Sequence, residues 1–224
     1  MRIVPVNTPT VVKKFLSNYI WEVPSTEKVL YLTFDDGPTP EITNWTLKTL
    51  NEHNAKATFF CIGKNIENHP DIFKSILDKG HAVGNHTHNH IKGWQTGTAD
   101  YLDNVSKAES VIQDRIKNQK STISNKQSVV PKLFRPPYGQ IKPKQGKALL
   151  DLNYKIIMWN VLSFDWDKNV KPETCLNNVT TKSKPGSIIV FHDSLKASKN
   201  LIFALPKVLK YFGEKGYTFK ALNT

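Results

Sequence analysis

Five short stretches of this chain carry residue types and spacings that could do chemistry. The first is Thr33–Phe34–Asp35–Asp36–Gly37–Pro38, with Thr39–Pro40 behind it. Adjacent carboxylates repel each other unless a positive group lies close by. The second is Asn85–His86–Thr87–His88–Asn89–His90, with three histidines in five residues. His86 and His90 are four apart, so a helical turn would project both from one face, as a two-histidine metal site needs. On that turn His88 points away and reads as a structural histidine. Two histidines and one carboxylate make a half-open metal site that keeps positions for water. Either Asp35 or Asp36 could be that carboxylate, leaving the other as a base toward water, and the cation would offset their repulsion. The remaining stretches are Arg135–Pro136–Pro137–Tyr138–Gly139, Phe164–Asp165–Trp166 and Ile189–Val190–Phe191–His192. An Asp165 lying near His192 would favour the imidazolium that a proton donor needs.

These groups need elements to hold them. Val29–Leu30–Tyr31–Leu32 is β-prone and apolar, and Gly37–Pro38 cannot continue a central strand, so the aspartates sit where a buried strand ends. Helical spacing marks 41–53 (Ile42, Trp45, Leu47, Leu50), 70–79 (Ile72, Phe73, Ile76, Leu77, stopped by Gly80) and 99–117 (Leu102, Val105, Val111, Ile112, Ile116). Further helices are expected over 143–152, 172–182 and 201–215. Strands are expected over 56–62, 81–85, 129–134 (interrupted by Pro131), 154–159, 187–191 and 217–219, with a polar loop from Asn118 to Ser128. This alternation means βαβ units and a mostly parallel sheet, and a closed or nearly closed barrel would gather the strand ends at one face. No GxGxxG follows the first strand and no Walker A loop occurs. Residues 1–28, with an amphipathic piece from Val11 to Trp21, read as a short cover on a catalytic domain spanning 29–224.

Composition narrows the function class. The chain has 224 residues, 39% hydrophobic, enough to bury a real core in one large domain or two small ones. Its formal net charge of +12 raises the question of polyanions. The lysines are scattered, however, and the densest basic region, Lys117 to Lys147, reads as a solvated loop face, so no nucleic acid is expected. Cys61 and Cys175 make no disulfide framework; Cys61 sits in an apolar run and reads as a small core residue. The N-terminus lacks a signal-peptide apolar region, and no stretch approaches the roughly 18 apolar residues of a membrane span. The compartment is left open, as a leader could have been removed.

In order along the chain, the five stretches resemble the five motifs of the polysaccharide deacetylases (carbohydrate esterase family four, the NodB-homology domain), over residues from about 29 to 220. The resemblance implies a distorted (β/α) barrel of about seven parallel strands with its active site at their C-terminal ends. It implies metal-dependent removal of acetyl from N- or O-acetylated sugars. It further implies Asp35 as base, Asp36, His86 and His90 as ligands of one divalent ion, and His192 as general acid. Arg135 would steady Asp35, Asp165 would orient His192, and Tyr138 and Trp166 would line the groove, with the Tyr138 backbone N–H as an oxyanion donor. The mixed nitrogen and oxygen ligands suit zinc, with cobalt, nickel or manganese as substitutes. The family's fourth motif often has an aspartate three residues before the Asp-Trp pair; here Leu162 stands there, so substrate contacts on that side should differ. The expectation is therefore a monomeric hydrolase acting on the N-acetyl group of N-acetylglucosamine polymers or oligomers, chitin- or peptidoglycan-type. An O-acetyl xylan esterase or a non-catalytic carbohydrate-binding relative would share the same motifs.

Overall fold

The computed structural model describes residues 5–120 and 131–223, with only the backbone described for 118–120. The loop expected from Asn118 begins later, because α5 continues through Lys120, and the rest of that loop, the start of the 129–134 strand and part of the basic 117–147 region lie outside the described residues. Eight α-helices and eight strands, mostly in alternation, and two short 3-10 turns make up the regular elements of the rest. The helices and strands run α1 Thr10–Phe15, β1 Val29–Asp35, α2 Ile42–Glu52, β2 Thr58–Cys61, α3 Gly63–Asn68, α4 Pro70–Asp78, β3 Ala82–Asn85 and α5 Thr98–Lys120. The second half is β4 Leu133–Phe134, α6 Pro143–Asp151, β5 Lys155–Ile156, β6 Val161–Leu162, α7 Pro172–Lys182, β7 Ile188–His192, α8 Ser198–Glu214 and β8 Thr218–Phe219. No helix among the described residues is long and apolar enough to cross a membrane.

All strand pairings are parallel, in the order β5-β4-β3-β2-β1-β7-β6, with β8 beside the start of β1. β5 and β6 occupy opposite ends of that order yet lie only five residues apart in the chain. The chain therefore passes straight from one sheet edge to the other, and residues 5–28 lie along that seam. The Ile20 N–H donates to Ile156 O at 2.8 Å, the Met158 N–H to Ile20 O at 2.7 Å, and the Leu162 N–H to Val6 O at 2.9 Å. Tyr19 and Trp21 are buried there with Tyr101, Phe134, Leu149 and Ile156. The result is a distorted, incompletely closed (β/α) barrel.

Successive residues of a strand face opposite sides. On β1, Leu30, Leu32 and Phe34 join the large core between sheet and helices, and on β7 Ile189 and Phe191 do the same. Tyr31 and Ile188 pack in the separate inner cluster with Phe60, Leu133 and Ile157. Asp35 and His192 continue these inward columns and are register partners. The barrel wall thus supplies apolar support from one set of residues and chemistry from the alternate set.

The structure also departs from expectation. The strand expected over 154–159 stops at Ile156, because the chain must cross to the opposite edge. β6 and α3 were not anticipated. β6 has two residues, and α3 (GKNIEN) buries only Gly63 and Ile66, too few apolar positions to show a period.

Candidate active site

Asp36 leaves β1 with a φ of 80°, which turns its side chain out of the strand's alternation. The turn is held at several points. Asn65 Nδ2 donates to Asp36 O at 2.7 Å, and the Ile62 N–H to Gly37 O at 2.9 Å. Asp36, His86 and His90 bring their donor atoms within 4.8 Å of one another.

The two histidines do not converge through a helical turn. Residues 86–90 form an irregular bend with φ of 62° at Thr87 and 54° at His90. Asn85 Oδ1 accepts the Thr87 N–H at 2.9 Å, and Asn104 Oδ1 accepts those of His88 and Asn89 at 2.9 and 3.0 Å. The first N–H groups of α3, at Gly63 and Lys64, donate to Thr87 O and His88 O at 3.0 Å each. Side-chain and helix-end donors thus do what the expected helix would have done, and the His86 and His90 rings end 5.1 Å apart. His88 lies on the other side of the bend, its Nε2 3.5 Å from Glu67.

His86 is buried, and its Nδ1 is 2.7 Å from Arg135 O, so Nδ1 carries the proton and Nε2 presents a lone pair. Burial pushes its pKa down to about 4 against the raising pull of Asp35 and Asp36, so the ring is neutral at neutral pH, the form that ligates metal. Burial would raise the Asp36 carboxyl. The contact with His90 and the charges of His192, His86 and His90 override it and hold Asp36 well below the usual carboxylate range. With His86 neutral, the contact with His90 and the charge of His192 remain. Asp36 Oδ1 lies 3.1 Å from His90 Nε2 and 3.8 Å from His86 Nε2, yet it is buried with no hydrogen-bond partner. A buried charged oxygen left so costs more than about 1–3 kcal/mol. A divalent cation between one carboxylate oxygen and two imidazole nitrogens satisfies all three atoms, so the residues present fit one.

Asp35 faces a different partner. Arg135, fully buried, donates from Nη1 to Asp35 Oδ1 and to Thr33 Oγ1, both at 2.7 Å. Its Nε reaches Ile157 O at 3.1 Å and its Nη2 reaches Met158 O at 2.9 Å, over the Phe60 ring. A guanidinium fixed at four acceptors cannot swing away from Asp35. Across β1 from β2, His192 Nδ1 lies 2.8 Å from Asp165 Oδ1, and its backbone N–H donates to Asp165 Oδ2 at 2.7 Å. Asp165 is itself held by Ser163 and Asn200. Burial would lower the His192 pKa. Asp165, through charge and hydrogen bond, and then Asp36 and Asp35 pull it up to about 9.

The aromatic residues flank this centre from opposite directions. Tyr138, 58% exposed and at φ 58°, lies with its ring centroid 4.7 Å from that of His90 and tilted 51° to it, with Lys92 Nζ 5.2 Å from its ring. Trp166 lies 4.8 Å from His192 and is backed by Phe164. Leu162 is buried in β6 and presents no polar group there. Five of the eight non-glycine residues with positive φ among the described residues, namely Asp36, Thr87, His90, Tyr138 and Phe164, belong to this region. Strained backbone gathers where geometry is over-determined for function.

Asp193, next to His192, escaped the sequence reading although it is wholly buried beside Gly37. Burial and then the Asp36 charge push its carboxyl up to about 7, against hydrogen bonds from Thr43 and Gly37. The legible signal was a carboxylate following four buried apolar residues, where no solvent is available to it.

Known proteins resemble this chain over most of its length. The family model described as polysaccharide deacetylase matches residues 22–157. A peptidoglycan-N-acetylglucosamine deacetylase of Bacillus cereus is 35% identical over 205 residues, covering 91% of this chain and 70% of that protein. The crystal structure of the Bc1960 peptidoglycan N-acetylglucosamine deacetylase, in complex with a naphthalenyl N-oxidanyl-benzamide, superposes with a TM-score of 0.82 at 34% identity. It covers 96% of this chain and 95% of that one. BA3943 of Bacillus anthracis, described as a pseudoenzyme of carbohydrate esterase family four, superposes with a TM-score of 0.75 at 26% identity, covering 91% of this chain and 66% of that one.

Proposed function

The chain belongs to the polysaccharide deacetylase family, a family of hydrolases, and from that membership we propose that it is a divalent-metal-dependent N-deacetylase of N-acetylglucosamine in a peptidoglycan-type glycan. The observation that carries this reading is the pairing at the end of β1. The partnerless Asp36 Oδ1 faces His86 and His90, while the neighbouring Asp35 is the register partner of His192. That is one acceptor set for a cation beside one base and one acid, the complement needed to hydrolyse an amide.

In this reading Asp36, His86 and His90 hold the ion, which when bound would polarise the acetyl carbonyl and make water at the site more acidic. Arg135 orients Asp35 through Oδ1, so the proton of the attacking water passes to the other carboxylate oxygen. His192 gives its proton to the amine nitrogen as the C–N bond breaks. Asp165 fixes the ring so that the proton leaves from Nε2. The Tyr138 N–H serves the developing oxyanion, and the rings of Tyr138 and Trp166 bracket the sugar. The BA3943 likeness makes a non-catalytic relative the reading to exclude, and the presence of base, acid and all three ligands argues against it.

Peptidoglycan is favoured over chitin on charge. The loops at the C-terminal strand ends carry the exposed lysines Lys92, Lys168, Lys171 and Lys196, against Glu41 and Asp167. Stem-peptide carboxylates on a glycan would be attracted to that face. Acetate release from chitooligosaccharides, peptidoglycan and acetylated xylan, with and without chelator, tests the reading. Peptidoglycan should be the best substrate at low salt, its advantage should shrink as salt screens the lysines, and chelator should abolish release. Release untouched by exhaustive chelation, or confined to xylan, would overturn it.

The ligand assignment has its own test. His86→Ala and His90→Ala should each purify with much less divalent metal than wild type. Undiminished metal in both ends the assignment.

A further inference from the structure

We infer that Asp193 is a positioning residue for Asp36, clamping the Gly37 turn so that the Asp36 carboxylate stays aimed at His86 and His90; this rests on the metal-site reading above. Asp193 follows His192 at the end of β7, and its N–H donates to Asp35 O at 3.1 Å. Its side chain is fully buried. Oδ1 accepts the Gly37 N–H at 3.1 Å, and Oδ2 accepts Thr43 Oγ1 at 2.5 Å, which in turn accepts the Thr39 N–H at 2.7 Å. One carboxylate thus joins the end of β7 to the turn after β1 and to the first turn of α2.

What that joins is the peptide plane between Asp36 and Gly37. Asn65 holds the carbonyl side of this plane, and Asp193 holds the N–H side. Asp36 is in the left-handed region at φ 80°, where a non-glycine residue is strained, so its side-chain direction depends on that plane staying fixed. Gly37 is part of the same device, because a Cβ there would lie 2.1 Å from Asp193 Oδ2. Burying a carboxylate is costly unless its hydrogen bonds are made, and nothing in the proposed reaction touches Asp193. Outer partners that hold a metal ligand change metal affinity without contacting the ion.

Zinc affinity of the 224-residue chain, measured by competition with a chromogenic chelator, tests this beside the visible spectrum of the cobalt-substituted protein and thermal unfolding. Asp193→Ala should bind zinc about 10–100-fold more weakly, with an altered cobalt spectrum. It should also lose kcat while KM stays near wild type. Asp193→Asn keeps an acceptor for the Gly37 N–H and should recover most of the affinity. If Asp193→Ala does not fold, Thr43→Val removes the Oδ2 bond together with the Thr39 N–H contact, leaves the Oδ1 bond to Gly37, and should still weaken zinc binding; unchanged affinity there overturns the inference. So does a folded Asp193→Ala that binds zinc like wild type, or an Asp193→Asn as impaired as the alanine variant. A wild-type chain that binds no cation overturns the metal-site reading and this inference with it, whereas cation binding unaffected at Asp193 overturns this inference alone.

Discussion

Asp35→Asn should keep its divalent metal and lose about 10²–10⁴-fold in kcat, the range that general-base catalysis supplies. Asparagine has the shape of aspartate, and its Oδ1 can still accept from Arg135, which sits 2.7 Å from Asp35 Oδ1. What it cannot do is take a proton from water. The three atoms that fit a cation belong to Asp36, His86 and His90, so metal content should hold. The substitution also leaves Arg135 without its counter-charge. Breaking a buried pair in this way costs about 3–5 kcal/mol when nothing compensates. Here Thr33, Ile157 and Met158 continue to accept from the guanidinium, so the variant should fold with a lowered Tm. Kinetics, metal content and a melt on one preparation separate the outcomes. Turnover near the wild-type rate would show that Asp35 is not the base, and loss of metal would show that it is a ligand.

The sequence placed these groups well where a local rule governs them. β1 opens on an unbroken apolar run, Gly37–Pro38 ends it, and Asp35 therefore had to lie at a strand end with Asp36 beyond it. βαβ alternation alone put such ends at one face of a parallel barrel. Where tertiary contacts govern, the sequence was mute or misleading. The His86–His90 spacing suggested a helical turn, but the convergence comes from positive φ at Thr87 and His90, stabilised by Asn104 and the start of α3. No local pattern announces Asn104 as the acceptor for a bend 15 residues earlier. The partner of Asp193 was hidden for the same reason, since Gly37 lies 156 residues away. Short strands were the other blind spot. β6 has two residues and is defined by what lies beside it, including the seam strip at Asn7, so period-two reading had too few positions to use.

His192→Ala should lose far more activity on N-acetylglucosamine oligomers than on an activated acetyl ester. An amine is a poor leaving group until protonated, whereas an activated alkoxide or phenoxide leaves unaided, so only the amide needs the acid. The geometry gives His192 that task. Asp165 fixes Nδ1 at 2.8 Å, which leaves Nε2 as the nitrogen able to deliver the proton. Asp165 and the two site carboxylates raise the pKa to about 9 against burial, so the imidazolium persists at neutral pH. The sign for activity follows: the acid is present below that pKa and is lost as pH rises through it. A cation on Asp36 cancels part of the pull from that carboxylate, so the alkaline limb of the wild-type profile should fall at or somewhat below pH 9. In His192→Ala the residual activity should lack this limb, because no group remains that must stay protonated. Asp165→Asn, which keeps the ring's neighbour but removes its charge, should instead move the limb to lower pH. Equal losses on amide and ester in His192→Ala, with the alkaline limb intact, would mean that the proton reaches the leaving amine from another group.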